Sequence, residues 1–251
     1  MWKKIRIAIL LAILLIVAVN AWRDQNQNWT RPIVVLLHPI NADGTAETQA
    51  YINQLQASQF SQVSSYLRQS AQQYQQNTHF LMLLGRPLQE LPPAVPTVGG
   101  IWQSIWWSLK FRYYAWQQQQ SADPTATVVL YLNYYSPKTR QRLLHSTALE
   151  RGRIGSVNLF SDAQQNAQNE VVIAHELLHA FGATDKYDLS TGQPIYPNGY
   201  AEPHLQPLLP QHMAELMAGY IPMTPQQSKM PQNIEQTKIG AVTAKEIGWT
   251  K

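Results

Sequence analysis

No residue of the chain is a cysteine. That excludes disulfides, thiolate zinc ligands and a cysteine nucleophile together. An exported domain without disulfides must hold together through its core, which suits a bacterial envelope protein better than a small extracellular module. Charge is also sparse: Asp, Glu, Lys and Arg make up 14% of the 251 residues, against an ordinary hydrophobic share of 45%. Gln and Asn supply much of the polar surface instead. Of the formal net charge of +4, Lys3, Lys4 and Arg6 supply three charges, leaving +1 for the remainder. No basic stripe with interleaved aromatics follows, so nucleic acid is set aside as a partner. The length suits one well-filled domain, or two small lobes sharing a cleft.

Those three basic residues precede an uninterrupted apolar run over residues 7–19, ended by Asn20 and flanked by Trp22. This is the pattern of a secretory signal or a short signal-anchor. A full span needs about 20 apolar residues, so the run is short for an anchor. Val19 and Ala21 are small residues of the kind that precede a cleavage site. The expected organisation is a signal peptide or signal-anchor over residues 1–22, a polar spacer over 23–31 and one domain over 32–251. Residues 5–22 would contact the membrane if uncleaved. The chain would face the periplasm, anchored to the inner membrane or released.

Apolar runs bounded by Pro or Gly predict buried strands over residues 33–37, 80–84 and 127–132, and partial alternation predicts an edge strand over 154–160. A helix is expected over 45–76, where neither Gly nor Pro interrupts beyond Thr45, and another over 101–118. In the second, Trp102, Trp106, Leu109, Tyr113 and Trp116 recur at helical spacing, which reads as a core-facing stripe. The nearby Lys110 and Arg112 leave a membrane-interface or ligand role as the alternative. This order predicts an α/β (α+β) fold: a mainly parallel sheet with an antiparallel edge strand, packed helices and an active-site helix. The sheet lobe would span 32–182, and an irregular, proline-rich C-terminal lobe 183–251.

The chemistry sits in Val171-Val-Ile-Ala-His-Glu-Leu-Leu-His-Ala-Phe-Gly-Ala-Thr-Asp185. On a helix, His175 and His179 lie one turn apart, with Glu176 on their flank and Ile173, Leu177 and Phe181 on the opposite side. Two imidazoles at that spacing can ligate one metal ion, and the glutamate between them is placed to hold a water and take its proton. By chance such a motif arises on the order of once in a hundred chains of this composition. Several other residues offer a third ligand: Asp185, Asp188, Glu202, His204 and His212. Pro203 argues against a helix interior at Glu202. His38 and His79 read as ordinary histidines.

With Gly182 and Asp185 the pattern extends to HExxHxxGxxD, and in this it resembles the metzincin clan of zinc peptidases. The resemblance covers about residues 175–220. It implies a third ligand three residues after the glycine, here Asp185. A glycine at the helix end can turn the chain sharply and bring that side chain back. It also implies a methionine turn beneath the metal, for which Met217, followed by Gly219, is the candidate. Tyr220 stands three residues after Met217, not the two that some metzincins show, so no zinc or oxyanion role is assigned to it, nor to Tyr187. In the clan an antiparallel edge strand pairs with extended substrate; Gly155, Ser156, Val157 and Asn158 are the candidates. The expectation is therefore one catalytic Zn2+ on His175, His179 and Asp185, with Glu176 as general base, in a peptidase acting on peptides or proteins, more readily as an endopeptidase. The alternative is a non-catalytic exported or membrane-tethered binding protein with a structural metal or a degenerate site.

Overall fold

A computed structural model describes residues 2–96, 100–119, 126–149 and 152–250. The protein is α/β, built on a five-stranded, mostly parallel sheet with helices on both faces. β1 (Ile33–Asn41), β2 (Phe80–Leu84), β3 (Val128–Tyr135), β4 (Thr147–Ala148) and β5 (Ile154–Phe160) lie in the order β2-β1-β3-β5-β4. All pairings are parallel except that of β4 with β5. β1 and β3 are central, which is why both read as continuous apolar runs. Along β3, Val128, Leu130, Leu132 and Tyr134 enter the larger core while Val129 and Tyr131 enter a smaller one on the other face.

The larger core packs under α2 (Ala46–Asn53), α3 (Ser61–Gln73) and α5 (Asn166–Ala180), together with α6 (Ala241–Glu246). The opposite face is covered by α4 (Ile101–Gln119), through Phe111, Tyr114 and Ala115. The C-terminal lobe is irregular as expected, with short ladders of β6 (Ala214–Glu215) on β9 (Thr237–Lys238) and β7 (Ile221–Thr224) on β8 (Gln227–Lys229). An N-terminal helix, α1 (Trp2–Gln25), exposes its apolar side chains. Among the described residues no helix is long and apolar enough to cross a membrane.

Four expectations need correction. The helix over 45–76 is two helices, α2 and α3, separated by a 3-10 turn at Ala57–Phe60. The break uses no Gly or Pro: Gln56 and Gln59 cap each other and Phe60 is buried at the joint. The spacer over 23–31 is not free of the domain, because Trp29 is buried against Phe80, Phe181 and Trp249 and donates its indole N–H to the Ile247 carbonyl. Gly155–Asn158 belong to β5, which is parallel and second from the edge. The antiparallel edge strand is Thr147–Ala148, and the β5 amide of Asn158 is taken by the Ser146 hydroxyl. Finally, the stripe Trp102, Trp106, Leu109, Tyr113 and Trp116 faces outward, because α4 is apolar on two opposite sides and buries the one that carries Phe111, Tyr114 and Ala115. Of the proline-rich connection at 91–100, residues 97–99 lie outside the described residues.

Candidate metal centre

α5 carries the motif. Its core face presents Ile173, Ala174, Leu177 and Leu178 to the sheet, all buried. This leaves His175 and His179 on the flank towards the C-terminal lobe. The helix ends at Phe181, and Gly182 follows at φ +102, a left-handed conformation that favours glycine. The amides of Gly182 and Ala183 return to the carbonyls of His179 and Leu178. This turn throws the next residues back across the helix end, and Asp185 meets both histidines.

The three side chains converge on one point. His175 Nε2 and His179 Nε2 are 3.0 Å apart, and Asp185 Oδ1 lies 3.2 and 3.1 Å from them. A tetrahedral zinc with bonds of about 2.0–2.1 Å requires ligand atoms about 3.3 Å apart, so these residues fit the ion with small adjustment. Hydrogen bonding points the same way. His175 Nδ1 faces the Leu216 carbonyl at 2.9 Å, and His179 Nδ1 faces the Ala183 carbonyl at 2.7 Å. A carbonyl only accepts, so each Nδ1 carries a hydrogen and each neutral ring turns a bare Nε2 lone pair inward. Three acceptors thus face one another, which is repulsive unless a cation or a captured proton lies among them.

The electrostatics express that demand for positive charge. Burial pulls the His175 imidazole down, but the Asp185 carboxylate, the Glu176 charge and the Leu216 carbonyl outweigh it and carry it up to about 9. Burial likewise pushes the Asp185 carboxyl up, yet the two imidazoles hold it well below the usual carboxylate range. Glu176 is 4% exposed, and its Oε2 has no hydrogen-bond partner within the protein. Burial raises its carboxyl, opposed by the neighbouring histidines. Its carboxylate lies within 4.8 Å of the ring nitrogens. It is close enough to the two imidazoles to share a water with them.

The other third-ligand candidates are occupied elsewhere. Asp188 is exposed and caps the amides of Ser190 and Thr191. Glu202 pairs with His212 at 3.0 Å on the surface, and His204 is exposed. His38 is a core histidine, its Nδ1 on the Arg86 carbonyl and its ring stacked on Tyr131. It leaves no room for a side chain at Gly85, where a Cβ would meet the ring at 2.6 Å.

Met217 is fully buried in a 3-10 turn at Leu216–Ala218, closed by Gly219 at φ +71. Its position supports the centre through the main chain. Leu216 supplies the carbonyl that fixes His175, and the Met217 carbonyl accepts the Lys186 amide, next to Asp185. Glu215 holds the turn from within: it accepts from the amides of Met217, Ala218 and Gly240 and from the Thr243 hydroxyl. On the far side, Glu246 of α6 clamps the Asp185 loop, taking the Thr184 amide and hydroxyl and the Lys186 ammonium at 2.7 Å. Sequence reasoning missed Leu216 and Ala183, which act through carbonyls that carry no side-chain signal, and the paired Lys186 and Glu246. It also set Tyr187 aside. Burial first, then the neighbouring Asp185 carboxylate, raises its phenol above the ordinary range.

No protein-family model and no curated protein matches the chain. It is similar to a chain in a solved structure described as "Structure of a chaperone-substrate complex", at 14% identity and a TM-score of 0.40 over 88% of this chain. The match spans 35% of that other chain, about a third of its length, and at that score it says nothing of activity.

Proposed function

We propose that the chain is a zinc-dependent peptidase of the metzincin type, hydrolysing peptide bonds at the centre built by His175, His179, Asp185 and Glu176. The observation that carries this reading is the triangle of Nε2, Nε2 and Oδ1 at 3.0–3.2 Å with the unpartnered Oε2 of Glu176 beside it. Three protein ligands leave a fourth position open, the arrangement of catalytic zinc, whereas structural sites are closed by four. When bound, zinc supplies a Lewis acid that polarises the scissile carbonyl and lowers the pKa of a water molecule. In hydrolysis Glu176 would take a proton from the attacking water as the water oxygen adds to the carbonyl carbon. It then delivers the proton to the amine nitrogen as the C–N bond breaks. Burial raises its carboxyl, which suits a group that must both accept and release a proton.

The substrate would be an extended peptide added to the outer side of β4, in place of the β5 edge expected from sequence. The basic and apolar N-terminus supports export, with the domain acting in the periplasm, free or held at the inner membrane.

The test is zinc content and peptide hydrolysis of the purified full chain, Asp185→Ala and Glu176→Gln. Wild type should hold about one zinc per chain, and Asp185→Ala should lose it. Glu176→Gln should keep zinc while hydrolysis falls by about 10²–10⁴-fold. Wild type that binds no zinc refutes the reading. Zinc without hydrolysis of any peptide leaves a metal-bearing binding protein.

A further inference from the structure

The exposed side of α4 has no counterpart in the peptidase reading. On a helical wheel at about 100° per residue, Phe111, Tyr114 and Ala115 point into the core under the sheet. Diametrically opposite run Trp102, Trp106, Leu109, Tyr113 and Trp116, all within about 80° of arc and along about 21 Å of helix. Trp102, Trp106 and Trp116 are 80%, 61% and 55% exposed. Exposed apolar residues scattered singly are ordinary, but a continuous aromatic stripe marks an interaction site.

Its composition says what kind. Tryptophan and tyrosine are the residues that settle at the headgroup level of a bilayer, with an apolar ring below and a polar edge in water. Lys110 and Arg112 lie about 80° to either side of the stripe, and α4 contains no acidic residue. Lys110 Nζ sits 5.7 Å over the Trp106 ring, so its stem follows the aromatic surface while its charge stays at the rim. An aromatic stripe between two cationic flanks complements an anionic lipid surface. A protein groove would also have to neutralise both cations. The chain carries a second feature of the same kind, the exposed apolar residues of α1 behind Lys3, Lys4 and Arg6.

We infer that the outer face of α4 docks on an anionic phospholipid surface, lying in the headgroup plane without crossing it. α4 and α5 cover opposite faces of the sheet. Docked this way, the protein places the sheet between the lipid and the helix that carries His175 and His179, and the centre stays open to substrate in the aqueous phase.

The absence of cysteine makes the test direct. The full-length protein carries one introduced cysteine, Leu109→Cys on the stripe or Gln226→Cys on the C-terminal lobe, labelled with a polarity-sensitive fluorophore. Each is mixed with vesicles of phosphatidylglycerol and phosphatidylethanolamine. The label at 109 should shift to the blue and be quenched by lipid-borne quenchers, and the label at 226 should not. Adding Lys110→Glu and Arg112→Glu, or raising salt to about 0.5 M, should reduce the shift at 109 several-fold. A 109 label that stays in water while the protein cosediments with vesicles overturns the inference. So does a shift that appears without lipid and grows with protein concentration, which would assign the stripe to a second copy of the chain.

Discussion

Glu170 lies on α5, five residues before His175, but on the core side with Ile173. Tyr51, Phe60, Tyr134, Asn166 and Asn169 line the small cavity around it. The residue is 9% exposed, its Oε2 has no hydrogen-bond partner, and burial pushes its carboxyl from near 4.5 up to about 7. The folded state therefore holds a proton that the unfolded chain has already released. Below about pH 4.5 both states are protonated and Glu170 costs nothing. Between about 4.5 and 7 the cost grows by about 1.4 kcal/mol per pH unit, and above 7 it is constant. The ceiling is about 3.4 kcal/mol; water reaching the cavity reduces it to about 1–3 kcal/mol. Glu170→Gln keeps the shape and cannot ionise. It should stabilise the protein by about 1–3 kcal/mol at pH 8 relative to its effect at pH 4.5. Urea unfolding of the metal-free protein at the two pH values, with unchanged denaturant slope, reads that difference. The same effect of the substitution at both pH values would mean that folding leaves the Glu170 carboxyl unshifted, and a loss confined to pH 8 would mean that its ionised form is stabilised in the fold; either result would refute the reasoning.

Glu246→Ala removes the partner of the Lys186 ammonium, whose side chain is 7% exposed; chemical denaturation should show a loss of about 3–5 kcal/mol. Because the same carboxylate holds Thr184, zinc affinity in competition with a chelator should fall as well. Gly182→Ala places a side chain at φ +102, costing roughly 1–2 kcal/mol in thermal unfolding, and a dialysis measurement should find weaker zinc retention. Trp29→Ala should cost about 3–5 kcal/mol, and a chain beginning at residue 32 should be equally destabilised. Removing residues 1–25 should leave unfolding unchanged, since the buried anchor is Trp29.

What was legible in the sequence was whatever a single local pattern determines. β1, β2 and β3 are apolar runs between turn residues and β5 alternates in part, and all four are strands in the structure. The turn at Gly182 and the approach of Asp185 follow from one helix end and one left-handed residue. Illegible features depended on choices between equal local options. α4 is apolar on two opposite sides, so period alone does not tell which one the sheet takes; Phe111 and Tyr114 win because they meet Tyr131 across the smaller core. Residues 45–76 contain no breaker after Thr45; α2 stops at Asn53, and the reciprocal capping of Gln56 and Gln59 opens the 3-10 turn that leads into α3. β4 has two residues, too few for any alternation, so the edge was assigned to the neighbouring strand that does alternate.

The candidate centre shows how a local motif depends on distant chain. α5 can place two imidazoles one turn apart, but nothing within the helix decides which nitrogen of each ring faces inward. That choice is made by two carbonyls, Ala183 just past the helix and Leu216 in the C-terminal lobe. The Leu216 carbonyl is held in place by Glu215, buried beneath it, and the Asp185 loop by Glu246 and the Met217 carbonyl. The ligand triangle therefore exists only when both lobes are folded. Its three facing acceptors also oppose that folding until positive charge is shared among them. A cation bound there removes a repulsion that the rest of the structure enforces, so metal affinity and the stability of the C-terminal lobe are one linked quantity.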